Sequence, residues 1–422
     1  MTLRGSTGGS GKPAPTVRVG LFGLLGSGNS GNDASMETVL EYLRAAHPEA
    51  IVDAMSGGSA ELVWAKYGIK SEPMFWSQKF EQRKTAVPPV VLKVLGKGMD
   101  TVRTASWARR HDAVIVPGAG AFETTLPQRA WGFPYALFML TLSGKTFGTK
   151  VALVSVGADV IGKRVTRWLS NSTARLAFYR SYRDSFSRDV MRRRGIDTSG
   201  DRVYPDLVFG VPTPPYTPGD PQIVGVGVMA YHGGNDDRKQ ADQIHTSYVE
   251  GLIGFTQWVI DSGYRVRLFG GDNKFDGEVA EQILAEVRRR RPDLDPSRIT
   301  VEPAASYAEL MRAVGPCGVV VATRYHNVMC ALKLCKPTIA LGYSRKFTSL
   351  MTDMGLADFI QSASSLDVDR LIGQFKEIQS RHAELQQEMA DRNAANRQGL
   401  EDQFAVLSAL LLPASQAASQ AE

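Results

Sequence analysis

The sequence predicts an α/β protein of two Rossmann-like domains facing a cleft, followed by long C-terminal helices. Three observations carry that prediction. Short β-rich runs alternate with helical patterns over 17–210 and again over 222–365, the pattern of parallel strands joined by crossover helices. Between the two series, Pro212, Pro214, Pro215, Pro218 and Pro221 crowd one stretch, so 211–221 reads as a linker. From Leu366 onward the apolar residues take up helical spacing instead.

The first series opens on the apolar run Val17–Leu25, turns at a Gly-rich loop and enters a helix over Ala34–Ala46. Strands are expected at Ala50–Met55, Ala113–Val116 and Lys150–Val156. The second series places strands at Ile223–Met229, Arg265–Phe269 and Ile299–Glu302, with Gly318–Ala322 and Thr338–Leu341 completing the sheet. Its helices are expected at Val249–Ser262, Glu278–Arg290 and Tyr307–Val314. In the tail, 366–422, Leu371, Phe375, Ile378, His382, Leu385 and Met389 recur at spacings of three and four, and Leu400, Phe404, Leu407 and Leu411 resume the rhythm. One or two amphipathic helices packed across the body follow from that stripe. Asn393 and Asn396 interrupt it, which tells against a coiled coil.

At 422 residues, 43% apolar and 22% charged, the chain has a globular composition and can bury a sizeable core. Residues 1–16 are polar and rich in Gly and Pro; they read as a disordered arm and lack the apolar stretch of a secretory signal. The longest apolar runs fall far short of a bilayer span. Cys317, Cys330 and Cys335 form no C-x-x-C pair. So few thiols point to a reducing compartment, and the expected location is the cytoplasm. A net charge of +6 suits an anionic substrate or contact with the inner face of a membrane. No RNA-binding motif accompanies it, which argues against nucleic acid.

Gly26-Ser-Gly-Asn-Ser-Gly31 has G-x-G-x-x-G spacing between a strand and a helix, and Asp53 stands near the end of the next strand, as in a dinucleotide site. Two features oppose that reading. Leu24 and Leu25 lengthen the turn, and Asp33 puts a carboxylate where a pyrophosphate would lie. The loop is expected to face the cleft, with Asn29 and Asp33 as candidate ligands for sugar hydroxyls and Asn32 or Asp33 as helix N-cap.

The most informative segment is Val319-Val-Val-Ala-Thr-Arg-Tyr-His326. A β-branched strand runs directly into Arg324 and His326, with a helix expected over Asn327–Leu334. Residues two apart on an extended strand end point the same way. Arg324 supplies a planar fork for carboxylate or phosphate, and His326 titrates near neutrality. The pair suits a small polyanion whose reaction moves a proton.

Taken in order, these motifs identify a family. Gly28-Asn29-Ser30-Gly31-Asn32-Asp33 resembles the N-terminal Gly-Asn-x-Gly-Asp motif of the polysaccharide pyruvyl transferases. Asp112–Gly120 resembles their strand leading to a Gly-rich turn, and Tyr182–Ser187 their Arg-Asp-x-x-Ser segment. Thr323–His326, followed by Ala331 and Pro337, matches their Arg-x-His block. The resemblance covers roughly Val17 to Gly355.

It implies a two-domain architecture similar to glycosyltransferase B, with the acceptor on the first domain and the donor on the second. It implies phosphoenolpyruvate as co-substrate, no cofactor and no metal, and a pyruvate ketal on a sugar as product. By position, Arg324 and His326 match the catalytic and donor-binding pair, and Arg183 a second donor arginine. Asp33 and Glu123 are candidates for the base that assists an acceptor hydroxyl. The acceptor is a sugar of a polysaccharide or of a lipid-linked or glycolipid molecule. Two rivals keep the same build: a nucleotide-sugar glycosyltransferase, with Glu302 or Glu309 on a ribose, and an NAD-binding oxidoreductase.

Overall fold

The computed structural model describes residues 17–26, 30–76, 89–118, 120–123, 130–215, 218–234, 237, 239–271 and 275–412. The arm 1–16 and Asn29 lie outside these. The first sheet contains β1 (Arg18–Gly23), β2 (Ile51–Ser56), β3 (Lys70–Pro73), β4 (Ala113–Pro117), β5 (Lys150–Val156), β6 (Tyr179–Tyr182) and β7 (Arg202–Val203). Their order is β3-β2-β1-β4-β5-β6-β7, every pairing parallel. Helices α1 (Ser30–Ala46), α2 (Ala60–Tyr67), α3 (Pro89–Ala108), α4 (Phe133–Phe147), α5 (Arg164–Leu176) and α6 (Ser185–Arg193) connect the strands.

The second sheet repeats the plan. Strands β8 (Asp220–Gly227), β9 (Arg265–Phe269), β10 (Ile299–Glu302), β11 (Cys317–Ala322), β12 (Thr338–Gly342) and β13 (Ile360–Ser362) lie in the order β10-β9-β8-β11-β12-β13, again all parallel. Helices α7 (Ala241–Asp261), α8 (Phe275–Arg290), α9 (Tyr307–Val314), α10 (Tyr325–Lys333) and α11 (Arg345–Asp353) complete it. The sheet does not end at β12 as the sequence suggests, because the short strand β13 pairs along its edge. In both sheets the first strand lies beside the fourth. That is the switch point outside which open α/β sheets bind ligands.

Helices α3, α4 and α5 pack on one face of the first sheet through Trp107, Phe133, Leu137, Leu140 and Ala174. The opposite face, carrying α1, belongs to a second apolar cluster that continues into the second domain.

The tail forms α12 (Val368–Ser380) and α13 (His382–Leu411). Helix α13 runs unbroken through Asn393 and crosses between the domains. Its first half is tied to the second domain, where Asn393 Nδ2 donates to Leu332 O at 2.9 Å. Its second half is tied to the first domain. Phe404 stacks on Tyr42 with centroids 4.3 Å apart, and Lys150 Nζ donates to Leu410 O at 2.7 Å. Asn393 therefore does not break the stripe; its amide adds hydrogen bonds to the carbonyls of Leu332 and Lys333 at the end of α10.

Candidate functional site

Crossover helices in a parallel sheet begin near the carboxyl ends of the strands they follow. Five segments therefore converge on the same side of the two sheets: those after β1, β4, β6, β11 and β12. They bring Gly31, Glu123, Arg183, Arg324–His326 and Lys346 to the cleft.

The Arg-x-His pair is not on a strand end. Strand β11 stops at Ala322, Thr323 N still bonds to Gly227 O at 2.9 Å, and Arg324 then turns to become the N-cap of α10. Helix α10 starts at Tyr325, two residues earlier than expected, so His326 sits in its first turn. The N-cap geometry, rather than strand alternation, sets the directions of the two side chains. Arg324 makes a two-pronged ion pair with Asp276: Nη2 donates to Oδ1 at 2.8 Å and Nε donates to Oδ2. Asp276 is fully buried in the first turn of α8 and also accepts from Ala230 N and Gly271 N, each at 3.0 Å. Asp276 thus fixes the arginine fork and ties together the ends of β8 and β9.

His326 crosses to the first domain. Its ring lies so close to Gly31 that a Cβ built there would fall inside the ring's van der Waals envelope. The last glycine of the G-x-G-x-x-G spacing thus makes room for a histidine rather than a pyrophosphate. Burial, Lys346, Arg183 and Arg324 push the His326 pKa down to about 3, with Glu123 opposing. The imidazole is therefore neutral at physiological pH.

Arg183 is buried among carboxylates. Its guanidinium donates to Glu123, lies 3.0 Å from Asp206 and 3.7 Å from Asp184. Burial works against its charge, but Glu123, Tyr325, Asp206 and Asp184 outweigh it and hold the pKa well above the ordinary range. Glu123 also reaches Lys346 Nζ at 3.5 Å across the cleft. The Tyr325 ring lies between these cations, 5.0 Å from Arg183 and 4.8 Å from Lys346. This pattern couples the two domains through charge and an aromatic face. Lys346, Asp206 and Asp276 were not legible as site residues, since none belongs to a spaced motif, and Tyr325 stood only as the middle residue of the Arg-x-His block. The one available signal for Lys346 was its position just after a buried strand ending in Gly342.

The other candidates have definite partners. Asp33 lies inside the first turn of α1 instead of capping it, and accepts from Gly26 N at 2.8 Å, closing the loop. Burial, partly offset by the Gly26 hydrogen bond, raises its pKa. Asp53, the ribose candidate of the dinucleotide reading, accepts from Trp107 Nε1 at 2.8 Å and lies 3.0 Å from His111 Nε2. It stands inside β2, where it holds α3. Glu309 accepts from Ala305 N at 2.6 Å, and its own N–H is capped by Ser306 Oγ. Ser306 thus caps α9, and the Glu309 carboxylate holds the residue before the cap. The basic run Arg288–Arg291 is an ion-paired surface: Arg289 with Glu286, Arg290 with Glu250, and Arg291 with Asp261. Among the described residues no group of three or more His, Cys, Asp or Glu is placed to hold a metal ion. A cavity of about 450 Å³ behind the second domain is lined by Lys333, Lys336, Asn393 and Arg397. It lies at the amino end of β12, away from the cleft.

Similar solved structures span nearly the whole chain. A UDP-GlcNAc 2-epimerase from Neisseria meningitidis bound to UDP-GlcNAc matches 94% of this chain and 100% of its own at 10% identity, with a TM-score of 0.60. The lipopolysaccharide outer core galactosyltransferase WaaB in its apo form matches 93% and 100% at 13% identity, TM-score 0.55. A glycosyltransferase from Rickettsia africae ESF-5 matches 94% and 100% at 12% identity, TM-score 0.55. These likenesses establish the glycosyltransferase B architecture and nothing about the reaction. The family model described as polysaccharide pyruvyl transferase matches residues 29–345, from the Gly-rich loop past the Arg-x-His block. The chain thus belongs to the polysaccharide pyruvyl transferase family.

Proposed function

We propose that the protein transfers the pyruvyl group of phosphoenolpyruvate to a sugar of a polysaccharide or glycolipid, forming a pyruvate ketal. The observation that carries this reading is the meeting of Arg324, His326 and Lys346 with Gly31 and the Arg183–Glu123 pair at one cleft. A carboxylate and a phosphate on one small molecule need more than one cation held apart, and Arg324 and Lys346 come to the cleft on two different crossovers.

In the reaction, carbon 3 of phosphoenolpyruvate takes up a proton and carbon 2 becomes electrophilic. One sugar hydroxyl attacks carbon 2 and loses its proton. A neighbouring hydroxyl then attacks the same carbon, loses its own proton, and phosphate leaves with the electrons of its C–O bond. One of the two hydroxyl protons balances the proton gained at carbon 3, and the other departs on phosphate. No cofactor enters this balance.

Arg324, oriented by Asp276, is assigned to the donor's anionic groups, with Lys346 beside it. His326 is assigned to proton transfer. It is neutral because burial and the neighbouring Lys346, Arg183 and Arg324 outweigh Glu123. The donor's negative charges would reverse that field and allow it to carry a proton to carbon 3. Arg183 is assigned to holding Glu123 and Tyr325, because its charge is already met by three carboxylates. Glu123 and Asp33 are assigned as candidate bases for the acceptor hydroxyl, and Asn29 as a candidate ligand for the acceptor sugar.

A thermal-shift series tests the donor. Phosphoenolpyruvate should raise the melting temperature, while UDP-sugars and NAD should not. A rise with UDP-sugars and none with phosphoenolpyruvate would instead assign the cleft to a nucleotide-sugar glycosyltransferase.

A further inference from the structure

The outer surface of the first domain has a composition that catalysis does not explain. Helices α3, α4 and α5 form the layer facing away from the second domain. Apolar side chains stand exposed on it: Val94, Leu95 and Val102 on α3, Trp131 just before α4, and Val165 and Trp168 on α5. Trp131 is 60% exposed and Trp168 58%. Exposed apolar side chains gathered on one layer mark a contact surface.

The charges on this layer are one-sided. Helices α4 and α5 contain no Asp or Glu. The single acid of α3, Asp100, is buried and paired with Lys97 at 2.8 Å. Lys163, Arg164 and Arg167 are exposed around Val165 and Trp168. Position matters as well. The first turns of these helices lie at the carboxyl edge of the sheet, the edge that presents Glu123 and Arg183 to the cleft. Trp131 lies on the approach to α4 and Val165 in the first turn of α5, while Val94 and Trp168 stand in the second turns of α3 and α5.

We infer that this α3–α4–α5 face docks on a bilayer containing anionic lipid, bringing the acceptor side of the cleft to a lipid-linked sugar. Exposed tryptophan beside lysine and arginine, on helices whose one acid is buried, is the chemistry of the lipid headgroup boundary. A second copy of the chain fits the face poorly, because pairing it with itself would oppose like charges. No described helix is long and apolar enough to cross a membrane. The inference rests on the acceptor being a membrane-borne sugar, but its test uses neither donor nor acceptor.

The test is co-sedimentation of the full chain with vesicles of phosphatidylcholine alone or mixed with phosphatidylglycerol. The protein should pellet with the mixed vesicles, and less so as salt rises. The double variant Trp131→Ser/Trp168→Ser should lower the bound fraction by roughly tenfold or more. Lys163→Glu/Arg167→Glu should remove the preference for anionic lipid. Both variants should keep the melting temperature and the phosphoenolpyruvate-induced shift of the parent protein. Failure of the parent to pellet, or equal pelleting of the tryptophan variant, overturns the proposal. So does a dimer in light scattering that the tryptophan variant converts to a monomer, since the face would then be a self-contact. If phosphoenolpyruvate proves not to be the donor, the vesicle result keeps its meaning.

Discussion

Gly31, at the start of the first helix, and His326, at the start of a helix in the second domain, touch across the cleft with no room for a methyl group between them. Gly31 lies in helical backbone and is absent from the positive-φ glycines, so alanine is tolerable there on conformational grounds. Helix propensity alone would make Gly31→Ala stabilising by about 0.5–1 kcal/mol. The contact predicts the reverse for function. The imidazole must move by more than about an ångström, and turnover should fall by up to about 10²-fold. Phosphate release from phosphoenolpyruvate in the presence of acceptor, measured beside the melting temperature, checks this. Unchanged turnover would mean the ring is free to shift without consequence.

Arg324 and Asp276 should behave as a unit. Arg324→Ala leaves a fully buried carboxylate without its fork, a type of loss that costs roughly 3–5 kcal/mol. The variant should therefore lose donor binding and melt lower. Arg324→Lys should recover part of the stability but not the donor binding, because an ammonium cannot engage two carboxylate oxygens and an anion in one plane. Asp276→Asn should keep the fold better than Arg324→Ala yet weaken donor binding, by letting the fork swing. If Asp276→Asn binds phosphoenolpyruvate like the parent, Arg324 needs no orienting partner.

The alternation of buried strands and helices carried most of the fold. Strands such as Ala113–Pro117 and Thr338–Gly342 are buried at every position, so their apolar runs stand out. The strands left unread were Lys70–Pro73, Tyr179–Tyr182, Arg202–Val203 and Ile360–Ser362. They are short, polar and at or near sheet edges, where half the side chains meet water and no period survives. The site divides in the same way. Arg324 and His326 were legible because two chemical groups sit at a fixed spacing after a strand. Lys346 and Asp276 join them only through the topology, since each comes from a different crossover, and single charged residues carry no pattern.

A buried glutamine holds the crossing helix to the first domain. Gln403 Nε2 donates to Ser181 Oγ at 2.7 Å, and Gln403 Oε1 accepts from Ser155 Oγ at 3.0 Å. Ser155 N donates in turn to Ser181 Oγ at 2.8 Å, at a residue with φ of 49°. Gln403→Leu conserves bulk but leaves two buried hydroxyls short of a partner, at about 1–3 kcal/mol. The melting temperature should drop by a few degrees, while the phosphoenolpyruvate-induced shift persists, because the network lies outside the cleft. A variant as stable as the parent would show that the apolar contacts of Leu400 and Leu407 suffice.

The pKa of His326 makes a prediction with a definite sign. Its usual value of 6.5 falls to about 3 in the folded protein, through burial first and then Lys346, Arg183 and Arg324. Above pH 6.5 the imidazole is neutral in both the folded and unfolded chain and contributes no pH dependence. As pH falls from 6.5 toward 3, the unfolded chain takes up a proton that the folded one refuses, so stability is lost over that window. His326→Gln should flatten this part of the melting curve's pH dependence. Donor binding should act in the opposite direction. Negative charge placed beside Lys346 and Arg324 raises the imidazole pKa, so phosphoenolpyruvate binding should take up a proton at neutral pH and strengthen as pH falls. Phosphoenolpyruvate has its own phosphate titration, with a pKa near 6 for such esters, and the glutamine variant separates the two contributions. Calorimetry in buffers of different ionisation enthalpy reads the proton count directly. The parent should take up more protons than His326→Gln, and equal uptake in the two would remove His326 from the proton-transfer step and leave it a role in positioning the donor.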